Sequence, residues 1–165
     1  ISRGLVGSEM CIRDSLNREW QTPSMEKSPE VFLVRERMLE TGVDMFLDIH
    51  GDEAIPYNFV AGSEGIPSYG EGMAELENAF KQALLTITPE FQDEIGYDKD
   101  EPGKANLTVG SNWVAEQFKC LSYTIEMPFK DNNNHPDPLY GWSPERSVLF
   151  GQDVLAATLA VSDKI

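Results

Sequence analysis

Three short stretches of this chain hold residue types that can do chemistry. In LDIHGDE (residues 47–53) an apolar run ends at His50, followed by a glycine and two acids. Ligands gather at strand ends in α/β sheets. A neutral imidazole there can bind a metal or serve as a hydrogen-bonded structural group. In SYTIEMPF (122–129) a period of two puts Glu126 on one face with Thr124 and Pro128, opposite Tyr123, Ile125 and Met127. A carboxylate on such a strand is costly unless it is paired or faces a cleft, which makes Glu126 a candidate general base. A water-bathed glutamate on an edge strand is the competing reading. LNREW (16–20) offers Asn17 and Arg18. A planar guanidinium matches a carboxylate and an asparagine can supplement it, although the pair by itself names no function.

The elements that must position these residues alternate along the chain. SPEVFLVRERMLETG (28–42) predicts a helix with Ser28 as N-cap, Pro29 in the first turn, Val31, Val34 and Met38 on one face and Gly42 closing it. DMFLDIH (44–50) reads as a buried strand and PYNFVAG (56–62) as a second, ended by the turn formers of GSEGIPSYGEG (62–72). Met73, Leu76, Phe80, Leu84 and Ile87 form a helical stripe. Residues 89–107 are polar and loop-like. SNWVAEQF (111–118) reads as a short helix capped by Ser111 or Asn112, CLSYTIEMPF (120–129) as a strand, and DNNNHPDPLYGW (131–142) as a loop. Residues 143–163 close as a helix, again opening on Ser then Pro. Strands alternating with helices predict an α/β layered domain.

The first fifteen residues fit none of this patterning. Reverse-translated, Leu5–Asp14 spells CTC GTG GGC TCG GAG ATG TGT ATA AGA GAC, the string of a transposase-type sequencing adapter. Residues 1–15 are therefore read as non-native and residues 16–165 as the biological chain, truncated on its N-terminal side. The segment carries two arginines and two acids, so the net charge of −15 is unchanged without it. Such acidity argues against nucleic acid or an anionic membrane surface as partner. No apolar run approaches the roughly 18 residues that span a bilayer. Cys120 then stands alone, which excludes an intrachain disulfide framework and favours a reducing, cytoplasmic setting.

In this order, LNREW, LDIHGDE, PYNFVAGSEG and YTIEMPFKD resemble the zinc metallocarboxypeptidases of the carboxypeptidase A superfamily, in particular their cytosolic carboxypeptidase-like branch. The resemblance runs from Leu16 to the last helix. It implies a three-layer α/β/α fold with a central mixed sheet, and hydrolysis of the C-terminal peptide bond of peptides or proteins. It implies that Asn17 and Arg18 hold the substrate carboxylate, that His50 is the third zinc ligand, and that Glu126 is the general base.

The resemblance also marks what is missing. The family takes its first two zinc ligands from an H-x-x-E motif upstream of the Asn-Arg pair. Here that region precedes Leu16, so the fragment is expected to be inactive by itself. His50–Glu53 fits H-x-x-E as a string, but its place after LNREW assigns His50 to the third ligand and leaves Glu53 a minor candidate. His135 reads as an exposed loop residue, and no substrate-capping tyrosine is assigned. Two other classes stay open: a metal-dependent amidohydrolase or phosphoesterase using Asp48, His50 and Asp52, which share a face if the strand continues, and a non-catalytic domain binding peptide C-termini through Asn17 and Arg18.

Overall fold

The computed structural model describes residues 16–165; the adapter-like segment lies outside the described residues. A short 3₁₀ turn, Leu16–Arg18, leads into α1 (Pro29–Thr41), β1 (Met45–Asp52), β2 (Phe59–Ala61), α2 (Glu71–Ile87), α3 (Gly110–Phe118), β3 (Leu121–Pro128) and α4 (Pro144–Val161). The sheet is mixed, in the order β1-β3-β2, with β1 parallel and β2 antiparallel to β3.

Alternation along the two long strands divides the core. On one face Leu121, Tyr123 and Ile125 of β3 pack with Phe80 and Leu84 of α2 and Phe150, Val154, Ala157 and Val161 of α4. On the other, Trp20, Val31 of α1, Trp113 and Val114 of α3 and Cys120 form a second cluster with Phe46 of β1. Helices thus cover both faces of a central sheet, the expected α/β architecture. β3 is buried along nearly all its length because it lies between two strands and between two helical layers. That placement removes the edge-strand reading of Glu126, whose side chain has no open sheet edge to reach water.

Several local expectations change. Ser28 precedes α1, but its hydroxyl accepts from the Ser24 N–H at 3.3 Å and does not cap the first turn. Val34 is exposed, so α1 buries only Val31 fully. Gly42 ends the helix at φ +77°, with its N–H on the Met38 carbonyl. The second strand shortens to three residues because its N-terminal half runs through Pro56 and Tyr57 before the ladder begins. In α2, Phe80 and Leu84 are fully buried and Ile87 is exposed, while the charged Glu77 is buried among polar partners. Neither Ser111 nor Asn112 caps α3. Both lie inside it, and the Gly110 N–H at its start donates to the Asn17 side chain at 2.7 Å.

α4 follows the expected rule. The Ser143 hydroxyl accepts from the Arg146 N–H at 3.3 Å, ahead of Pro144 in the first turn. Ser143→Ala should therefore lower stability by about 1 kcal/mol in urea denaturation, with an unchanged m-value. Cys120 is a buried free thiol whose pKa burial pushes up to about 11, so it is a packing residue rather than a nucleophile. Among the described residues no helix is long and apolar enough to cross a membrane.

Candidate active site

The parallel register pairs His50 of β1 with Glu126 of β3. Neighbours across a ladder share a face, so both side chains rise on the same side of the sheet, with His50 Nδ1 3.9 Å from Glu126 Oε1. They open into a cleft of about 480 Å³ that Asn17, Arg18, Thr124 and Tyr97 also line. The structure thus brings Asn17, Arg18, His50 and Glu126 together, although up to 109 positions separate them in the chain. Glu53 lines the same cleft. His135 does not: it sits in the loop before α4, with Nδ1 3.2 Å from Glu90.

Each side chain has a distinct anchor. His50 Nε2 faces the Asp48 carboxylate at 3.0 Å. That contact orients the ring, directs Nδ1 into the cleft, and raises the His50 pKa, against an opposing effect of burial. Glu126 is 5% exposed. Burial raises its pKa above the ordinary carboxylate value, with His50 and the Tyr97 hydroxyl pulling the other way. Its Oε2 is buried and makes no hydrogen bond among the described residues. A buried carboxylate oxygen in that state implies a partner such as water in the working site. Arg18 is exposed, donates only to the Asn17 carbonyl at 3.2 Å, and forms no ion pair among the described residues. Asn17 Oδ1 takes the Gly110 N–H, which fixes the 3₁₀ turn against the start of α3 and with it the base of Arg18.

Asp48 and Asp52 do not form a metal centre with His50. Asp48 bonds the outer ring nitrogen, while Asp52 Oδ1 accepts the Ala54 and Ile55 N–H groups at 2.6 Å each and Oδ2 accepts the Tyr97 hydroxyl at 2.6 Å. Among the described residues no three His, Cys, Asp or Glu side chains could together hold a metal. The residues present fit one corner of a zinc site: a single imidazole nitrogen aimed into the cleft, steadied by a carboxylate behind it, beside an unpartnered carboxylate oxygen.

Sequence reasoning missed Tyr97 and the bonding of Asp52. Tyr97 lies in the long polar loop, edge-on to Phe59 at 4.9 Å, and its hydroxyl also reaches Glu126 Oε1 at 3.2 Å. Gly96 makes this possible, since a Cβ there would lie 2.9 Å from the buried Phe59 ring. An aromatic residue between a glycine and an acidic run was the one available signal.

No family model matches the chain. An uncharacterized protein of Zymomonas mobilis is 48% identical over 163 residues, which is 99% of this chain and 43% of that protein. That alignment takes in at least 13 of the first 15 residues and lends no support to an adapter origin for them. A candidate carboxypeptidase A from Shewanella denitrificans is 63% identical, with a TM-score of 0.90 over 91% of this chain and 40% of its own. A metallo-carboxypeptidase from Pseudomonas aeruginosa, in complex with (2-guanidinoethylmercapto)succinic acid, is 48% identical, with a TM-score of 0.89 over 91% and 40%. A metallo-carboxypeptidase from Burkholderia cenocepacia is also 48% identical, with a TM-score of 0.87 over 92% and 40%. The described chain therefore has the α/β fold of metallo-carboxypeptidases, of whose length it spans about two-fifths.

Proposed function

We propose that this chain is part of a zinc metallocarboxypeptidase of the carboxypeptidase A superfamily, in its cytosolic carboxypeptidase-like branch, acting on the C-terminal peptide bond of peptides or proteins in the cytoplasm. The observation that carries the reading is the pairing of His50 and Glu126 on one sheet face, 3.9 Å apart, in a cleft also lined by the Arg18 guanidinium, which forms no ion pair among the described residues. The carboxylates of the ligand in the Pseudomonas aeruginosa complex suit such a guanidinium.

Each residue has a definite task in this reading. Arg18, with Asn17 beside it, holds the free carboxylate of the substrate, so that only the terminal bond reaches the cleft floor. That orientation accounts for specificity and for part of the rate. Glu126 accepts a proton from water at its unpartnered Oε2 and returns it to the leaving amine; a raised pKa suits both transfers near neutrality. His50 Nδ1 supplies one zinc ligand, and the other ligands come from outside the described residues. Zinc, when bound there, supplies polarisation of the scissile carbonyl and acidification of water.

The test uses the chain completed to the length of its relatives from the Zymomonas mobilis protein. It should release the last residue of a peptide with a free C-terminus and spare the same peptide amidated at that end. Dialysis against a chelator should abolish turnover and added zinc restore it. Equal cleavage of the amidated peptide would remove Arg18 from its role. Zinc-loaded protein that binds the peptide without cutting it would be a recognition module instead.

A further inference from the structure

Tyr97 presents one hydroxyl proton to two carboxylates. Its oxygen lies 2.6 Å from Asp52 Oδ2 and 3.2 Å from Glu126 Oε1. A phenol donates a single proton, and the shorter, better-held acceptor takes it. Asp52 is that acceptor, because the Ala54 and Ile55 N–H groups clamp its other oxygen. The Tyr97 ring also packs edge-on against Phe59, with centroids 4.9 Å apart, and Gly96 lies against the same Phe59 ring. Glu126 is left with a stretched share of one hydrogen bond on Oε1 and none on the buried Oε2. A hydrogen bond donated to Glu126 would occupy an oxygen that water must reach.

We propose that Asp52 is a positioning residue for Glu126, acting through the Tyr97 hydroxyl: by drawing that hydroxyl's proton to itself it leaves the Glu126 carboxylate open to water. The proposal rests on the reading of Glu126 as general base. It makes Asp52 the anchor that joins the end of β1 to the loop carrying Tyr97, in place of the metal-ligand role its position beside His50 suggests.

Asp52→Asn reverses the bond. The amide oxygen keeps the two backbone N–H groups, so the amide nitrogen must face Tyr97 and donate to its oxygen. The Tyr97 proton then has Glu126 as its remaining acceptor. In the completed, zinc-loaded protein with isotope-labelled tyrosine, the C–O stretch of Tyr97, isolated by subtracting the Tyr97→Phe spectrum, reads this directly. The wild type should show a hydroxyl that donates only; Asp52→Asn should show one that donates and accepts. The kcat should fall about tenfold, as for loss of a supporting contact around a catalytic group, with KM unchanged. In the Tyr97→Phe background, Asp52→Asn should have no further effect on kcat, because the hydroxyl through which it acts is gone.

An identical Tyr97 band in wild type and Asp52→Asn overturns the proposal and leaves Glu126 as base. Equal losses of kcat from Asp52→Asn with and without the Tyr97 hydroxyl overturn it too, since Asp52 would then act by another route. A fully active Glu126→Gln overturns the general-base reading and the proposal with it.

Discussion

Glu126→Gln in the completed enzyme should cut turnover of a free-C-terminus peptide by roughly 10²–10⁴-fold, the usual cost of losing a general base. The amide has nearly the same volume and stays on the same buried strand, but it cannot accept a proton from water. Bound zinc, measured by metal analysis, should stay at one per chain, because His50 Nδ1 and not Glu126 is the assigned ligand. KM should also hold, because Arg18 and Asn17 are untouched. Loss of zinc along with activity would make Glu126 a ligand. Near-full activity would move the base elsewhere. The amide should not unfold the chain, since Oε2 has no hydrogen-bond partner in the structure and Oε1 only a shared one.

The second large effect is structural and lies outside the residues that line the cleft. Arg146 of α4 makes a two-pronged contact with Glu90, at 3.1 and 2.7 Å, reaches Asp131 at 2.9 Å, and lies over the Trp142 ring. Glu90 is the base of the loop that carries Tyr97; its carbonyl also accepts from Asn58 and Asn132. Arg146→Met should cost on the order of 3 kcal/mol in urea denaturation, because it strands a largely buried carboxylate as well as removing charge-assisted bonds. The effect should depend on pH. Burial alone would raise the Glu90 pKa, but its bonds to Arg146 and Asn132 hold it below the ordinary value of 4.5. Asp131 likewise sits below 3.8, its burial outweighed by backbone N–H groups and Arg146. Groups with depressed folded pKa values stabilise above their unfolded pKa and lose that contribution as pH falls through the folded one. Wild-type stability should therefore drop as pH is lowered from about 4.5, and Arg146→Met should drop less. Parallel curves for the two proteins would show that the network is not coupled to folding.

The residues that were legible share one property: each breaks a strong local pattern. His50 interrupts an apolar strand and Glu126 stands in another, so alternation marked both before their neighbours were known. The helices from Pro29 and Pro144 were legible from their start signals. What stayed hidden depends on contacts between distant segments. Asn17 caps α3 from 93 positions away, and a local capping rule looks only three or four residues ahead, so Ser111 and Asn112 were the wrong candidates. Glu77 borders the apolar stripe of α2, and what periodicity cannot show is that Ser63 and Tyr69 fold over it and satisfy its carboxylate. Tyr97 lies in a loop with no periodicity, and its reach to Asp52 crosses 45 positions. The sheet order that buries β3 is likewise a tertiary fact, and it decided between a solvated Glu126 and a buried one.

The matched register of β1 and β3 has a consequence for protein engineering. Because His50 and Glu126 face each other across one rung of a parallel ladder, their separation is set by the strand spacing of roughly 4.8 Å and not by any loop. The pair behaves as a fixed gauge. A histidine and a glutamate written at paired positions of any buried parallel ladder, with an aspartate two residues before the histidine, would inherit the same spacing and orientation. On the proposed reading of His50 as a zinc ligand, the pair can be moved as a short two-strand cassette, with the recipient scaffold providing the remaining ligands.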